Sequence, residues 1–381
     1  VPYIWMGTML QFGGLAIMPF ALLILSGDTT GPLFVGHVAA ALAFLLVGAG
    51  LHTVQTVGLA LATDLAPEHA RPRVVALLCA MLLLGMAVSA LIFGLALSNF
   101  SQIRLIQVVQ GSAVVTIALN GIALWKQEPR STLIAPDGAA RAPFRSAWTS
   151  FAQESRTRRR LFATALGTAA FSMQDILLEP YGGKILHMPV AATTAMTAML
   201  AIGGGLGLLL AARWLTRGAD AHRVAAIGAV VGVQAFAAVI LSAPMEAASL
   251  FALGVMLIGL GAGMFAHGTL TATMGLARPQ DRGLALGAWG AAQATAAGLA
   301  IGLSGAINDL GAAIAATGAL GETLVDPATG YGIVYAIEIV LLLATVVAIG
   351  PLVRSPRDAH DGLTSSFSIL SNNSLSSDGV R

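Results

Sequence analysis

Charge is scarce in this chain. Of its 381 residues, 10% are Asp, Glu, Lys or Arg, while 56% are hydrophobic. Soluble domains carry about 25% charged residues, so a water-soluble enzyme or a nucleic-acid-binding module is excluded. Cysteine is nearly absent as well. Cys79 is the single one and lies in an apolar run, which rules out a disulfide framework. No Cys/His cluster with metal-ligand spacing occurs. A phosphate loop and a nucleophile–base pattern are missing too, so the expectation is a protein that is not an enzyme. No signal peptide is evident, and the sequence opens on Val1.

Long apolar runs dominate instead, and each can cross a hydrocarbon core of about 30 Å. The pattern predicts an all-α membrane protein with ten spans. They fall near 3–26, 32–62, 74–99, 104–126, 161–182, 190–214, 222–243, 247–274, 284–309 and 331–353. Residues 127–160 form a polar, basic linker, and 310–330 read as a Gly/Ala-rich loop. Residues 355–381 are rich in Ser, Asn and Asp and read as a disordered tail. Taking the connectors alternately, one set holds 18 of the 20 Lys and Arg residues, and the other holds only Arg104 and Lys184. Basic connectors stay inside, so the linker and the C-terminus are expected in the cytoplasm.

A weak internal repeat is present. Gly48-Ala49-Gly50 recurs as Gly261-Ala262-Gly263, and Thr56 is matched by Thr269. Leu65-Ala66-Pro67 is echoed by Leu276-Ala277-Arg278-Pro279, with Arg73 and Arg282 closing the two loops. Parallel repeats around a long cytoplasmic linker are the build of a major-facilitator fold. The predicted organisation is an N-terminal half at 1–126, the linker 127–160, a six-helix half at 161–354 and the tail 355–381. In the repeat, span 247–274 has three spans before it in its half, and its counterpart 32–62 has one. The expectation is therefore ten helices of twelve, with the first two of the fold missing. Within the linker, Phe144, Trp148 and Phe151 recur at helical spacing among Arg141, Arg145, Arg156 and Arg158-Arg159-Arg160. That pattern predicts an amphipathic helix on the inner membrane surface.

Polar residues inside spans are the candidate functional groups. An acid at a span centre costs roughly 2.5–3.5 kcal/mol on insertion scales, less near the interface. In QDILLEPYGG, residues 174–183, Asp175 and Glu179 are expected on one helix face ahead of a break at Pro180-Tyr181-Gly182-Gly183. They read as a proton-coupled pair, a metal or pigment ligand or a docking site. The plainer alternative places Glu179 in solvent at the outer interface and Tyr181 in the aromatic belt. His52 and Gln55 share a face of the second span. Each can donate a lone pair to a metal, including a chlorin magnesium, or simply bond between helices. His267 sits at a similar depth in the repeat. Gln293 lies in GAWGAAQATAAGLAIGLSG, residues 287–305, where Gly298 and Gly302 form a GxxxG pair suited to close helix packing. Such a smooth face also suits a planar ligand. Asp64 ends the second span near Arg71 and Arg73, a conformational latch at most, and Glu338 falls within the last span and needs a partner or water.

Several strings together resemble the PucC-like branch of the major facilitator superfamily, the bacteriochlorophyll delivery or light-harvesting complex assembly proteins. They are VPYIWMGTMLQFGGLAIMPFALLILSG at 1–27, GAGLHTVQTVGLALATDLAPEHARPRVVALL at 48–78, FSMQDILLEPYGGKIL at 171–186 and GLALGAWGAAQATAAGLAIGLSGAINDL at 283–310. QDILLEPYGG is the most specific of them. The resemblance implies a multi-pass protein of the bacterial inner, intracytoplasmic photosynthetic membrane. It implies work on light-harvesting antenna polypeptides of LH1 or LH2, with transient handling of bacteriochlorophyll as the one cofactor. The reaction centre–LH1 complex or bacteriochlorophyll synthase are further implied partners. Pigment or client contact would fall to His52, Gln55, Asp175, Glu179, Tyr181, His267 and Gln293. The competing expectation is a proton-coupled secondary transporter, with Asp175, Glu179 or Glu338 cycling protons and Asp64 as a possible latch.

Overall fold

In a membrane every backbone N–H and C=O must be paired within its own segment or across a closed barrel. Runs of Ala, Leu, Ile and Met meet that demand as helices. The computed structural model describes residues 2–27, 31–67, 71–97, 101–125, 144–276, 282–319, 321 and 324–353. These residues form α1 (Pro2–Leu25), α2 (Leu33–Leu65), α3 (Arg71–Ala96), α4 (Gln102–Ala123), α5 (Phe144–Gln153) and α6 (Ser155–Ser172). After a 3-10 turn at Met173–Ile176 come α7 (Leu178–Lys184), α8 (Val190–Thr216), α9 (Ala221–Ser242), α10 (Ala248–Leu276), α11 (Arg282–Ala316) and α12 (Ala328–Ile349). No strand occurs among the described residues.

Helix ends follow local chemistry. Ser101 caps α4 by accepting from the Arg104 N–H at 3.1 Å, and Asp220 caps α9 by accepting from the Arg223 N–H at 2.9 Å. Gly27 and Gly218 follow α1 and α8 with φ of 81° and 87°, where a side chain would be strained. Nine helical segments among the described residues are long and apolar enough to cross a membrane. The tenth expected span is helical as α3, and several of its side chains lie outside the described residues.

The structure corrects the sequence reading at two boundaries. The expected loop at 310–330 is helical at both ends, because α11 runs on to Ala316 and α12 begins at Ala328. The segment Gly311–Ala316 holds four alanines, the best helix former. A Cβ on Gly311 would lie 2.9 Å from the Ile333 side chain, so this end of α11 packs on α12. The second correction is the expected single helix at 161–182. It is α6, a 3-10 turn and α7 in succession, so the interruption precedes Pro180. Pro180 is the third residue of α7, where the missing N–H would have no intrahelical partner in any case.

The chain divides into two compact units. The first takes residues 1–151 and 277–294. Within it α1 packs on α2 and α4. A Cβ on Gly50 would meet the Gln11 N at 2.7 Å, so the α1–α2 crossing depends on the bare glycine. Asn120 Nδ2 of α4 donates to the Thr8 hydroxyl of α1 at 3.1 Å. The second unit takes residues 152–276 and 295–381. There α10 packs against α8 and α9, and α12 rests on α6 and α9. Gly228 of α9 and Gly261 of α10 are each packed on the other's carbonyl, with Cβ-to-oxygen distances of 2.6 and 2.7 Å. Aromatic rings fill the centre. Phe171 lies against Phe265 and Phe236, Phe236 stacks on Tyr335, and Tyr335 meets Tyr181 edge-on at 5.5 Å.

The basic linker is described from residue 144 onward. Its predicted amphipathic helix is α5, where the Trp148 and Phe151 rings sit 6.1 Å apart. Residues 127–143 and the tail 355–381 lie outside the described residues.

Candidate functional site

The first unit presents a polar stripe on α2. His52 and Gln55 are both exposed, three residues apart on one face. Gly48 lies four residues before His52, and no atom lies within 4 Å of a Cβ built there. Leu45, one turn further, is 68% exposed. The stripe is therefore an imidazole and a carboxamide beside a bare stretch of helix. The start of α11 belongs to the same unit. A Cβ on Gly290 would sit 3.4 Å from the Thr56 hydroxyl, which fixes where α11 approaches α2. Gln293 is one turn from Gly290, and His52 and Gln55 are within a turn of Thr56. Thr56 and Gly290 are thus where the two helices meet; no contact between Gln293 and His52 or Gln55 is present among the described residues. Asp64 lies in the last turn of α2, as expected for a helix end, and its side chain lies outside the described residues.

The second unit holds the other candidates, and they do not converge on one point. The 3-10 turn ends between Asp175 and Glu179, so the single helix assumed from the sequence is interrupted there. A 3-10 segment advances about 120° per residue, so the angle between the two acids widens from that of a continuous α-helix. Asp175 is exposed, and its Oδ1 accepts from Gln174 Nε2. Glu179 is exposed on α7 and accepts from the Thr197 hydroxyl of α8 at 2.8 Å. Tyr181 is not an interfacial aromatic. It is 2% exposed and its hydroxyl donates to the Val239 carbonyl at 3.0 Å. Its ring packs on Phe251, Tyr331 and Tyr335. His267 is buried on α10 at 8% exposure, with Nδ1 lacking a hydrogen-bond partner among the described residues.

Glu338 is the most enclosed acid among the described residues, with 0% exposure; its carboxyl makes no hydrogen bond of ordinary geometry there and is faced by the Gln174 backbone N–H. An ionised carboxylate taken out of water costs several kcal/mol unless it is paired. The turn at Met173–Ile176 packs against α12, and Asp175 is close enough to act electrostatically on Glu338. The sequence marked Glu338 but missed its companions. Gln174 and Tyr335 are buried beside that turn and each has an oxygen without a partner among the described residues. The signal available was the period: Tyr335 precedes Glu338 by three residues on one helix face.

The GxxxG pair at Gly298 and Gly302 does not make the close crossing expected of it. No described atom lies within 4 Å of a Cβ at either position. The tight crossings fall at α9–α10 and α8–α10 instead, through Gly228, Gly261, Gly207 and Gly263. Arg159, read in the sequence as one of the basic linker residues, lies in α6; its Nε donates to the Ala348 carbonyl at 2.8 Å and ties α6 to the C-terminal turn of α12.

These helices, taken with the comparisons, set the lineage. A family model described as PUCC protein matches residues 1–356. Protein PucC of Rhodovulum sulfidophilum is 53% identical over 315 residues, covering 81% of this chain and 69% of that protein. A protein of Rhodobacter capsulatus described as uncharacterized, in the puhA-bchM intergenic region, is 52% identical over 356 residues, covering 93% of this chain and 74% of that one. Among solved structures, the major facilitator superfamily transporter FucP aligns with a TM-score of 0.61 at 15% identity, over 91% of this chain and 82% of its own. The fold is that of the major facilitator superfamily, and the chain belongs to the PUCC protein family.

Proposed function

We propose that this protein is an assembly factor for photosynthetic light-harvesting antenna complexes, LH1 or LH2. In this reading it handles bacteriochlorophyll and holds antenna polypeptides in the membrane. The observation that carries it is the exposed His52–Gln55 stripe on an apolar helix of a PUCC-family chain. Mid-membrane positions seldom keep a polar side chain without a use. The residues fit a magnesium chlorin. The imidazole of His52 is an axial ligand of the right type, and the open space at Gly48 admits a planar ring beside it. Bound there, the pigment would supply the magnesium that accepts the imidazole lone pair. His52 would hold and orient it, while Gln55 and Gln293 would offer hydrogen bonds to its carbonyl groups. Antenna polypeptides would dock by helix packing in lipid, where van der Waals fit drives association. Asp175 and Glu179, both exposed, would serve client contact.

The proposed setting is the bacterial inner, intracytoplasmic photosynthetic membrane, with the linker and C-terminus cytoplasmic. The reaction centre–LH1 complex and bacteriochlorophyll synthase are the partners proposed beyond the antenna. A second reading, proton-coupled transport, draws on the buried Glu338 in a major-facilitator fold. The test is an absorption spectrum of the full chain purified gently from a pigment-producing host, with a gel for co-purifying small polypeptides. Near-stoichiometric bacteriochlorophyll, lost in His52→Leu, is the expected result. Antenna polypeptides without pigment would leave a protein-holding chaperone. Recovery of neither would overturn the assembly reading in favour of transport.

A further inference from the structure

Membrane helices keep their backbone hydrogen bonds unless something replaces them. The break at Met173–Ile176 is therefore informative, because it falls inside the apolar segment Ser155–Lys184. Broken helices at membrane depth are tolerated where they meet polar partners or line a site. The partners here are oxygens. Gln174 is 2% exposed, and its Nε2 is engaged by the Phe171 carbonyl at 3.2 Å and by Asp175 Oδ1. With both those bonds made by the amide nitrogen, Oε1 is left as a free acceptor, and it has no partner among the described residues. Tyr335 and Glu338 are both 0% exposed; the Tyr335 hydroxyl has no partner among the described residues, and the Glu338 carboxyl, without a hydrogen bond of ordinary geometry, is faced by the Gln174 backbone N–H. The turn packs against α12, the Gln174 backbone faces the Glu338 carboxyl, and Tyr335 lies three residues before Glu338 on the same helix face, so these groups are neighbours. Glu338 stands ten residues into α12, about 15 Å along the helix axis. That depth is near the middle of a span.

We propose that the 3-10 turn and α12 form a binding site for one monovalent metal cation of the sodium type, held by Glu338, Gln174 and Tyr335, with Asp175 at its edge. The donor set is all oxygen, which selects hard cations. No group of three His, Cys, Asp or Glu converges among the described residues, which disfavours a zinc-like centre. Glu338 contributes one enclosed negative charge, and one monovalent ion balances it. No Lys or Arg acts on Glu338 among the described residues; the one charge that does is Asp175. A cation can coordinate several of these oxygens at once, whereas one proton bridges only two. The ion would bind α12 to the turn that leads into α7, so its occupancy would set how firmly the outer end of the second unit is held. The inference does not depend on pigment binding.

The experiment is a thermal melt of the full chain in lipid nanodiscs, followed by circular dichroism. Sodium chloride is titrated against choline chloride at constant ionic strength. Saturable sodium binding at a hundredfold excess over Kd should raise Tm by roughly 3–6 °C. Glu338→Gln should abolish the sodium-dependent part. Tyr335→Phe, which keeps the ring and its packing, should raise the half-maximal sodium concentration severalfold. Identical melts in sodium, potassium and choline would overturn the proposal. So would a sodium response that survives Glu338→Gln. If that variant does not fold, an unchanged sodium midpoint in Tyr335→Phe overturns it instead. Stabilisation that follows pH alone in choline would assign the site to a proton and overturn it as well.

Discussion

Replacing Gly228 with Ala tests whether bare glycine is what lets α9 meet α10. A Cβ built there would lie 2.6 Å from the Gly261 carbonyl oxygen, 2.8 Å from the Phe265 N and 3.0 Å from the Met264 Cβ. Two of these atoms are backbone, so no rotamer change relieves them. Ordinary contact begins at 3.4 Å, and the helices would have to part by roughly 0.8 Å at the crossing. Overpacking of this kind costs about 1–3 kcal/mol. Better helix propensity returns up to about 1 kcal/mol for Gly to Ala. The balance is a loss centred on about 1 kcal/mol, or a fall in Tm of roughly 2–4 °C for a unit of this size. The comparison is Gly298→Ala on α11, where no described atom lies within 4 Å of the new methyl. That variant should melt at or slightly above the parent temperature. Both would be measured in nanodiscs by circular dichroism. If Gly228→Ala melts with the parent, or if Gly298→Ala falls as far, the crossing is not held by carbonyl-to-glycine contact and the argument fails.

Three further outcomes follow from single contacts. Tyr181→Phe removes the hydroxyl that donates to the Val239 carbonyl, but Ser242 also donates to that carbonyl at 2.6 Å. The carbonyl stays satisfied, so the loss should be about 0.5–1 kcal/mol, seen as a small drop in the melt. Arg159→Gln loses a charged donor at the C-terminal turn of α12. It should cost about 1 kcal/mol, with protease sensitivity rising near residue 353 as the readout. Gln55→Leu should weaken pigment retention in the purified protein less than His52→Leu does, since only the imidazole is assigned to the magnesium. Equal pigment loss in both, at equal protein level, would refute that division of roles.

The spans were legible because the constraint that forms them is written in composition. A run of about 20 apolar residues in hydrocarbon has few options besides helix. The interruption before α7 was not legible. Pro180 looked like the breaker, yet at the third position of a helix it costs nothing, and the chain breaks at Met173–Ile176. What favours that break is tertiary: Gln174 turns its amide back to Phe171 while α12 packs against the turn. A single sequence carries no sign of which distant helix will supply such partners. Glycine shows the same limit. The pair Gly298 and Gly302 has the spacing of a packing motif and meets no described neighbour, whereas Gly228 and Gly232 on α9 and Gly259 and Gly263 on α10 have the same spacing and lie at close crossings. Spacing within a helix defines a smooth face, and only the neighbour's position decides whether that face is used.

The two groups of candidate residues differ in what their surroundings permit. His52 and Gln55 are exposed and need no rearrangement to meet a ligand from the membrane. Glu338, Tyr335 and Gln174 are enclosed, so only something as small as an ion or a water reaches them while the second unit stays packed. A planar pigment at Glu338 would require displacing rings in the Phe236–Tyr335–Tyr181 column, each buried and in mutual contact. Aromatic pairs add about 0.5–1.5 kcal/mol each beyond burial, a barrier against opening the unit for every delivery. On the proposed function, cargo recognition would fall to the exposed stripe, and on the proposed cation site the enclosed oxygens would hold the second unit together.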